Sequence, residues 1–154
     1  MHKIIILAVL LITGCATGAY IPGDINSEDK LAYAILNTDS DTDHKLLRGF
    51  DEVITITRID DKSLFSWLQP YPESAYLAPG PHTVGVQFTY LGTIANGCLE
   101  LDAIAGKSYI VRKRAFRYSV QFWIENESTG EIVGNICGYE KGPPESNSTN
   151  REEI

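Results

Sequence analysis

Val84, Val86, Phe88 and Tyr90 alternate with Gly85, Gln87 and Thr89. This period of two puts the larger apolar side chains on one face of an extended strand, a pattern that a helix, whose face returns every three or four residues, cannot use. The same alternation recurs in Cys98-Leu99-Glu100-Leu101-Asp102-Ala103 and in Val120, Phe122 and Ile124. Val53-Ile54-Thr55-Ile56-Thr57-Arg58-Ile59 adds a β-branched run, and Tyr109-Ile110-Val111 and Ile132-Val133-Gly134-Asn135-Ile136 add shorter ones. Turn formers stand between them: Asp60-Asp61-Lys62, Ala78-Pro79-Gly80-Pro81, Ala105-Gly106-Lys107 and Glu127-Ser128-Thr129-Gly130. Asp29 to Leu36 admits a helix, but Ala32-Tyr33-Ala34-Ile35-Leu36 serves equally as a first strand. Turn signals every ~10–15 residues, without a long amphipathic run, predict an all-β chain: an antiparallel β-sandwich or flattened barrel of about six to eight strands.

The N-terminus carries a different message. Lys3 precedes the apolar run Ile4-Ile5-Ile6-Leu7-Ala8-Val9-Leu10-Leu11-Ile12, followed by Thr13-Gly14-Cys15. A basic start, a short apolar core and small residues at the cut make a secretory signal, too short for a spanning helix. Leu11-Ile12-Thr13-Gly14-Cys15 resembles the bacterial lipobox, whose Cys receives a diacylglycerol thioether, becomes the mature N-terminus and is acylated again. The resemblance implies lipidation at Cys15 and a membrane held through acyl chains. Each buried methylene of such a chain contributes ~0.8 kcal/mol. Ala16 and Thr17 stand where an Asp commonly retains such proteins in the inner membrane. This implies the outer membrane, with the domain facing the periplasm. An uncleaved anchor or a plain secretory signal are the other readings of the segment.

Residues 1–14 are thus read as the signal and 15–29 as the lipidated Cys and a flexible tether, with Thr17, Gly18, Pro22-Gly23-Asp24 and Asn26-Ser27-Glu28-Asp29 supplying its polar character. The domain is expected over 30–141. Gly142-Pro143-Pro144-Glu145-Ser146-Asn147-Ser148-Thr149-Asn150 has almost nothing to bury, so 142–154 reads as a disordered tail. The chain has 13 Lys and Arg against 20 Asp and Glu, a net charge of −7. Loss of Lys3 makes it one unit more negative. Such a balance disfavours nucleic-acid binding, which relies on neutralising phosphates. With Cys15 assigned to lipid, Cys98 and Cys137 remain as an even pair that an oxidising compartment would bridge; two separate thiols are the alternative. Cys98 shares its strand face with Glu100 and Asp102, which places a bridge on the outer side or at an edge, tying the last strand down.

The succession Ile56-x-x-Ile59-Asp60-Asp61-Lys62, Tyr76-Leu77-Ala78-Pro79-Gly80-Pro81-His82-Thr83-Val84-x-Val86, Ala105-Gly106-Lys107-x-Tyr109, Trp123 and Thr129-Gly130-x-x-Val133 resembles small Gram-negative lipoproteins and the PEGA-type β-sandwich domains of envelope proteins. It spans roughly residues 50 to 137 and departs from the usual turn in having Asp61 where Gly is common. It implies a sandwich and an envelope location, and no catalytic residue.

Few residues form a chemical constellation. Asp39-x-Asp41-x-Asp43 begins like an EF-hand loop, but the sixth and twelfth positions hold His44 and Phe50 instead of Gly and Glu, so a solvated acidic loop is the simpler reading. His82 follows a Pro-Gly-Pro turn and is expected to close it. No nucleophile elbow or zinc signature is present. Neither catalysis, a metal nor a cofactor is expected. Arg112, Lys113, Arg114 and Arg117 are the one basic cluster. On one surface they could contact an anionic partner; otherwise they pair with carboxylates or protect an edge strand. Tyr118, Phe122 and Trp123 stand nearby, with Phe122 expected in the core and Trp123 on the opposite face. The expected function is a non-catalytic envelope lipoprotein that holds an envelope protein or peptidoglycan. The alternative is an inhibitor of lysozyme-type muramidases, whose Ser-Gly-x-x-Tyr loop is partly echoed by Ala105-Gly106-Lys107-Ser108-Tyr109.

Overall fold

The computed structural model describes residues 18–23, 29–41, 51–117 and 119–138. A short 3-10 turn (Lys30–Ala32) leads into β1 (Ala34–Thr38), so the ambiguous first segment resolves mainly as a strand. There follow β2 (Val53–Ile59), β3 (Lys62–Ser63), β4 (Ser74–Leu77), β5 (Gly80–Tyr90), β6 (Thr93–Ala103), β7 (Ser108–Phe116), β8 (Ser119–Asn126), β9 (Ile132–Val133) and β10 (Asn135–Ile136). They form two five-stranded sheets, ordered β4-β1-β7-β8-β9 and β10-β6-β5-β2-β3. The sheets face one another as a sandwich and do not close into a barrel.

Alternation decides which side chains meet between the sheets. Val84, Val86 and Phe88 of β5, Leu99, Leu101 and Ala103 of β6, Tyr109 and Val111 of β7, and Phe122 and Ile124 of β8 all point inward and are nearly solvent-free. Phe122 lies so close over Gly97 of the opposite sheet that a Cβ there would overlap its ring. β2 breaks its own period: Ile54 and Ile56 point inward, and so does Ile59, three residues on. A bulge at Thr57 restores parity, since Ile56 pairs with Val86 but Arg58 with Gly85.

One pairing departs from the expected antiparallel order. β1 lies between β4, to which it is antiparallel, and β7, to which it is parallel. The strand that follows it, β2, belongs to the other sheet, so β1 takes both of its neighbours from later in the chain.

The residues read as a flexible tether also differ. Tyr20 N–H donates to the Ser74 carbonyl at 2.8 Å and the Tyr20 carbonyl accepts from Tyr76 N–H at 2.9 Å. Its ring packs against the core. An unpaired β4 edge offers main-chain partners, and a large aromatic ten residues before the expected domain start takes them. The chain is therefore pinned at Tyr20, inside the span read as tether. The expected tail, 142–154, lies outside the described residues, as do residues 1–14 and Cys15.

The last strands close the opposite side. Between β9 and β10 the chain passes from one sheet to the other at Gly134, whose φ is +77°. A Cβ there would collide with the Glu100 carbonyl oxygen, so the crossing requires glycine twice over. β10 then pairs with β6, Cys137 N–H donates to the Cys98 carbonyl at 3.1 Å, and the two cysteines are bridged, with Cα atoms 5.3 Å apart. The bridge lies at a sheet edge and ties the last strand, β10, to β6, in keeping with the outward position of Cys98 in the β6 alternation. The closed loop is worth roughly 3–4 kcal/mol in the chain-entropy account.

Gly134→Ala is expected to destabilise the fold by about 2–3 kcal/mol, from backbone strain plus the collision. Urea unfolding checks it, with Gly130→Ala as a comparison that meets positive φ but open space.

Candidate functional site

β7 carries the basic cluster, and its alternation splits it. Arg112 projects outward, where its guanidinium meets Asp39 at 2.8 Å and Glu125 of β8 at 3.0 Å. Glu125 also accepts from the Trp123 indole N–H at 2.7 Å. The Trp123 hydrogen bond first, and then Arg112, hold the Glu125 carboxyl below its ordinary value. Asp39, and then Glu125, raise Arg112 above its own. Asp39, first of the three aspartates in the calcium-like run, is thus committed to Arg112. Asp41 pairs its backbone with Glu52, and Asp43 and His44 lie outside the described residues.

Lys113 points the other way, into the mouth of the sandwich. Its side chain is 10% exposed; its ammonium lies 5.4 Å over the Phe88 ring and meets Glu52 at 2.9 Å. The aliphatic stem covers the core while the charge reaches a carboxylate at the rim. Arg114 is exposed, 6.0 Å over the Trp123 ring, and Arg117 occupies the β7–β8 turn at φ 50°. The four cations do not share one surface. Nor do they guard an edge, since β7 lies third in its five-stranded sheet. Phe122 faces the core and Trp123 the outside, as alternation requires; Tyr118 lies outside the described residues.

Arg114 and Trp123 border an open groove of about 420 Å³, whose far wall is the β9–β10 crossing. Ile132 and Ile136 stand in that wall, and both are more than half exposed. The groove combines an aromatic face, a cation and side-chain amides from Gln121 and Asn135. Such a mixture suits contact with a partner surface or polymer.

His82 closes a turn, as its sequence context predicts. Nδ1 faces Asp60 Oδ2 at 2.9 Å and Nε2 faces the Ala78 carbonyl at 2.7 Å. Both ring nitrogens are thus engaged by oxygens of the turn. Asp60 also accepts from Thr83 N–H at 2.9 Å, and its own N–H donates to the Thr83 carbonyl. Burial pulls the Asp60 carboxyl upward, but the Thr83 bond, the His82 bond and the His82 charge together outweigh it and hold it below the ordinary value. At φ 52° Asp60 sits in the left-handed region that Asp tolerates better than most residues.

The turn that echoes the inhibitor loop carries the chain from β6 to β7 in the other sheet and is used internally. Tyr109 is buried and its hydroxyl accepts from Ile104 N–H at 3.2 Å, while Gly106 N–H donates to the Tyr33 carbonyl. Among the described residues, no group of three or more His, Cys, Asp or Glu is placed to hold a metal. No helix among them is long and apolar enough to cross a membrane.

No family model, curated protein or solved structure matches this chain.

Lys113→Gln is expected to cost about 1–2 kcal/mol, because it strips a covered charge from a half-exposed partner. Arg114→Gln, which loses a surface contact, is expected to cost under about 0.5 kcal/mol; chemical unfolding compares the two.

Asp60 contributes stability that is present above its ordinary value near 3.8 and is lost as pH falls through its lower folded value. Asp60→Asn is expected to lower stability at neutral pH by under about 1 kcal/mol, since the carboxylate is half exposed. The variant should also lose less between pH 6 and pH 3 than the parent, as thermal melts across that range would record.

Proposed function

We propose that this protein is a lipid-anchored outer-membrane protein of the PEGA-like envelope type, whose sandwich faces the periplasm and acts without catalysis by holding an envelope protein or peptidoglycan. What supports the non-catalytic reading is how the chemically capable groups are engaged. Both nitrogens of His82 are bound to turn oxygens, and Arg112 and Lys113 are bound to carboxylates within the domain. One surface open to contact among the described residues is the groove beside Trp123 and Arg114. It is backed by strands that the disulfide fixes, so a partner would meet a preorganised wall and little ordering entropy would oppose binding. The anchor reading rests on the lipobox match at Cys15.

Intact mass of the mature protein is expected to show an N-terminal Cys15 with acyl chains, and Cys15→Ala is expected to leave the precursor unprocessed. A cleaved, unacylated soluble product would overturn the anchor. Crosslinking in intact envelopes is expected to recover one dominant protein or peptidoglycan fragments. Trp123→Ala with Arg114→Gln should reduce that recovery while leaving the melting temperature within a few degrees. Undiminished recovery would remove the groove from the proposal.

A further inference from the structure

Ser63 to Pro72 is an uncharged run, Ser-Leu-Phe-Ser-Trp-Leu-Gln-Pro-Tyr-Pro, in a chain that is 21% charged. It connects β3, an edge of one sheet, to β4, an edge of the other. Its ends are fixed: Leu64 N–H donates to the Thr57 carbonyl at 2.9 Å, Ile56 N–H donates to the Pro72 carbonyl at 2.8 Å, and the Leu64 side chain reaches the core. Its tip is local. Ser63 and Ser66 hydroxyls accept from Phe65 and Leu68 N–H, and Phe65 packs edge-on to Trp67 at 5.8 Å. The loop is held in shape without hiding its apolar groups. Phe65 is 59% exposed, Trp67 92% and Leu68 94%.

The chain that leads back to Cys15 ends beside this tip. Residues 18–21 line one open groove of about 640 Å³ together with Leu64, Ser66, Leu68, Gln69, Pro70 and Pro72 of the loop, and Ile21 extends the apolar surface at 43% exposure. Tyr20 is hydrogen-bonded to β4, so Cys15 lies five residue steps before a fixed point of the fold. Fully extended, they span at most about 18 Å. Acyl chains at Cys15 would therefore hold this face of the domain close to the bilayer.

We propose that the Phe65–Leu68 tip is a membrane-contact loop that seats Trp67, Leu68 and Phe65 at the headgroup–acyl boundary of the leaflet holding the Cys15 anchor. This rests on the lipoprotein reading above. Trp favours that boundary because one end of its ring system is apolar and the other carries an N–H. A tip of three such side chains adds a second attachment to the acyl chains and fixes the orientation of the domain, which chains on a tether alone leave free. Since the run carries no charge, the contact is apolar and is insensitive to salt.

The test uses the mature acylated protein carrying Trp123→Phe, so that Trp67 is the one tryptophan, excited selectively over the tyrosines, in vesicles of phosphatidylethanolamine and phosphatidylglycerol. With lipids brominated near the headgroup end of their chains, Trp67 emission is expected to be blue-shifted and to lose roughly half its intensity, as for a ring ~5–10 Å below the surface. The loss should be the same at low and high salt. Mass spectrometry of the same preparation reports acylation separately. Acyl mass with unquenched, water-like Trp67 emission overturns the loop contact alone; absence of acyl mass overturns the anchor and the contact that rests on it. In intact cells, a photoreactive residue at position 67 is expected to crosslink lipid. Capture of a single envelope protein, with no quenching by brominated lipid, would make the loop a protein-docking site and overturn the proposal.

Discussion

Eleven consecutive residue pairs between β5 and β6, from Gly80 with Ala103 to Tyr90 with Thr93, determine which side chains their sheet offers the facing one. A slip of one residue would turn Val84, Val86 and Phe88 to solvent and bring Gln87 and Thr89 inward, so the apolar seam itself enforces the register. The turn at Leu91-Gly92, with φ of 48° and 78°, sets that register mechanically. Everything else docks on this hairpin. The bulge at Thr57 keeps β2 in phase with it, Phe122 descends onto Gly97 from the facing sheet, and β10 is bonded to its outer strand. Leu101 and Val86 are buried because the hairpin cannot be rearranged without exposing the whole face.

An open sandwich has four sheet edges, and each invites another chain to pair with it. Here three of them, β3, β9 and β10, are two residues long. The fourth, β4, is occupied in part by Tyr20. Charges serve a different part of the fold. Arg112, Lys113, Asp39 and Glu52 gather where β1 ends and β2 begins, the end of the sandwich at which the core would otherwise meet water. Lys113 illustrates the compromise: an inward position near the mouth takes a long aliphatic stem with a charge able to reach Glu52.

Much of this architecture was legible because strand parity is written directly into sequence. The inward sets of β5, β6 and β8 are the alternating residues themselves, and the outward placement of Cys98 followed from its neighbours Glu100 and Asp102. His82 closing its turn followed from Pro79-Gly80-Pro81. Other features needed distances along the chain that periodicity does not encode. The parallel β1–β7 pair depends on which strands end up adjacent, and nothing in Ala34–Thr38 names a partner. Tyr20 reads as tether in the sequence because its neighbours are Gly, Pro and polar residues. The bulge had a signal, the three-residue step from Ile56 to Ile59. The exposed loop had one too, ten residues without a charge, but an apolar run in a sequence reads first as core, and Trp67 at 92% exposure is seen only in the fold.

The two side seams of the sandwich are not equivalent, and this gives the domain a direction. One seam is where β9 crosses to β10 at Gly134, covalently fixed by Cys98–Cys137 and bordered by the groove of Trp123 and Arg114. The other is bridged by the loop from β3 to β4, bearing Trp67 and lying against Tyr20. Strand order puts β4 and β9 at opposite edges of one sheet, four strand spacings or about 19 Å apart. A domain that rests on the Trp67 loop therefore turns the disulfide-bound seam away from the bilayer. A lone acyl attachment would leave that groove facing any direction, including the membrane. Attachment at two points on one seam, as proposed, would keep it presented to whatever lies beyond the lipid surface.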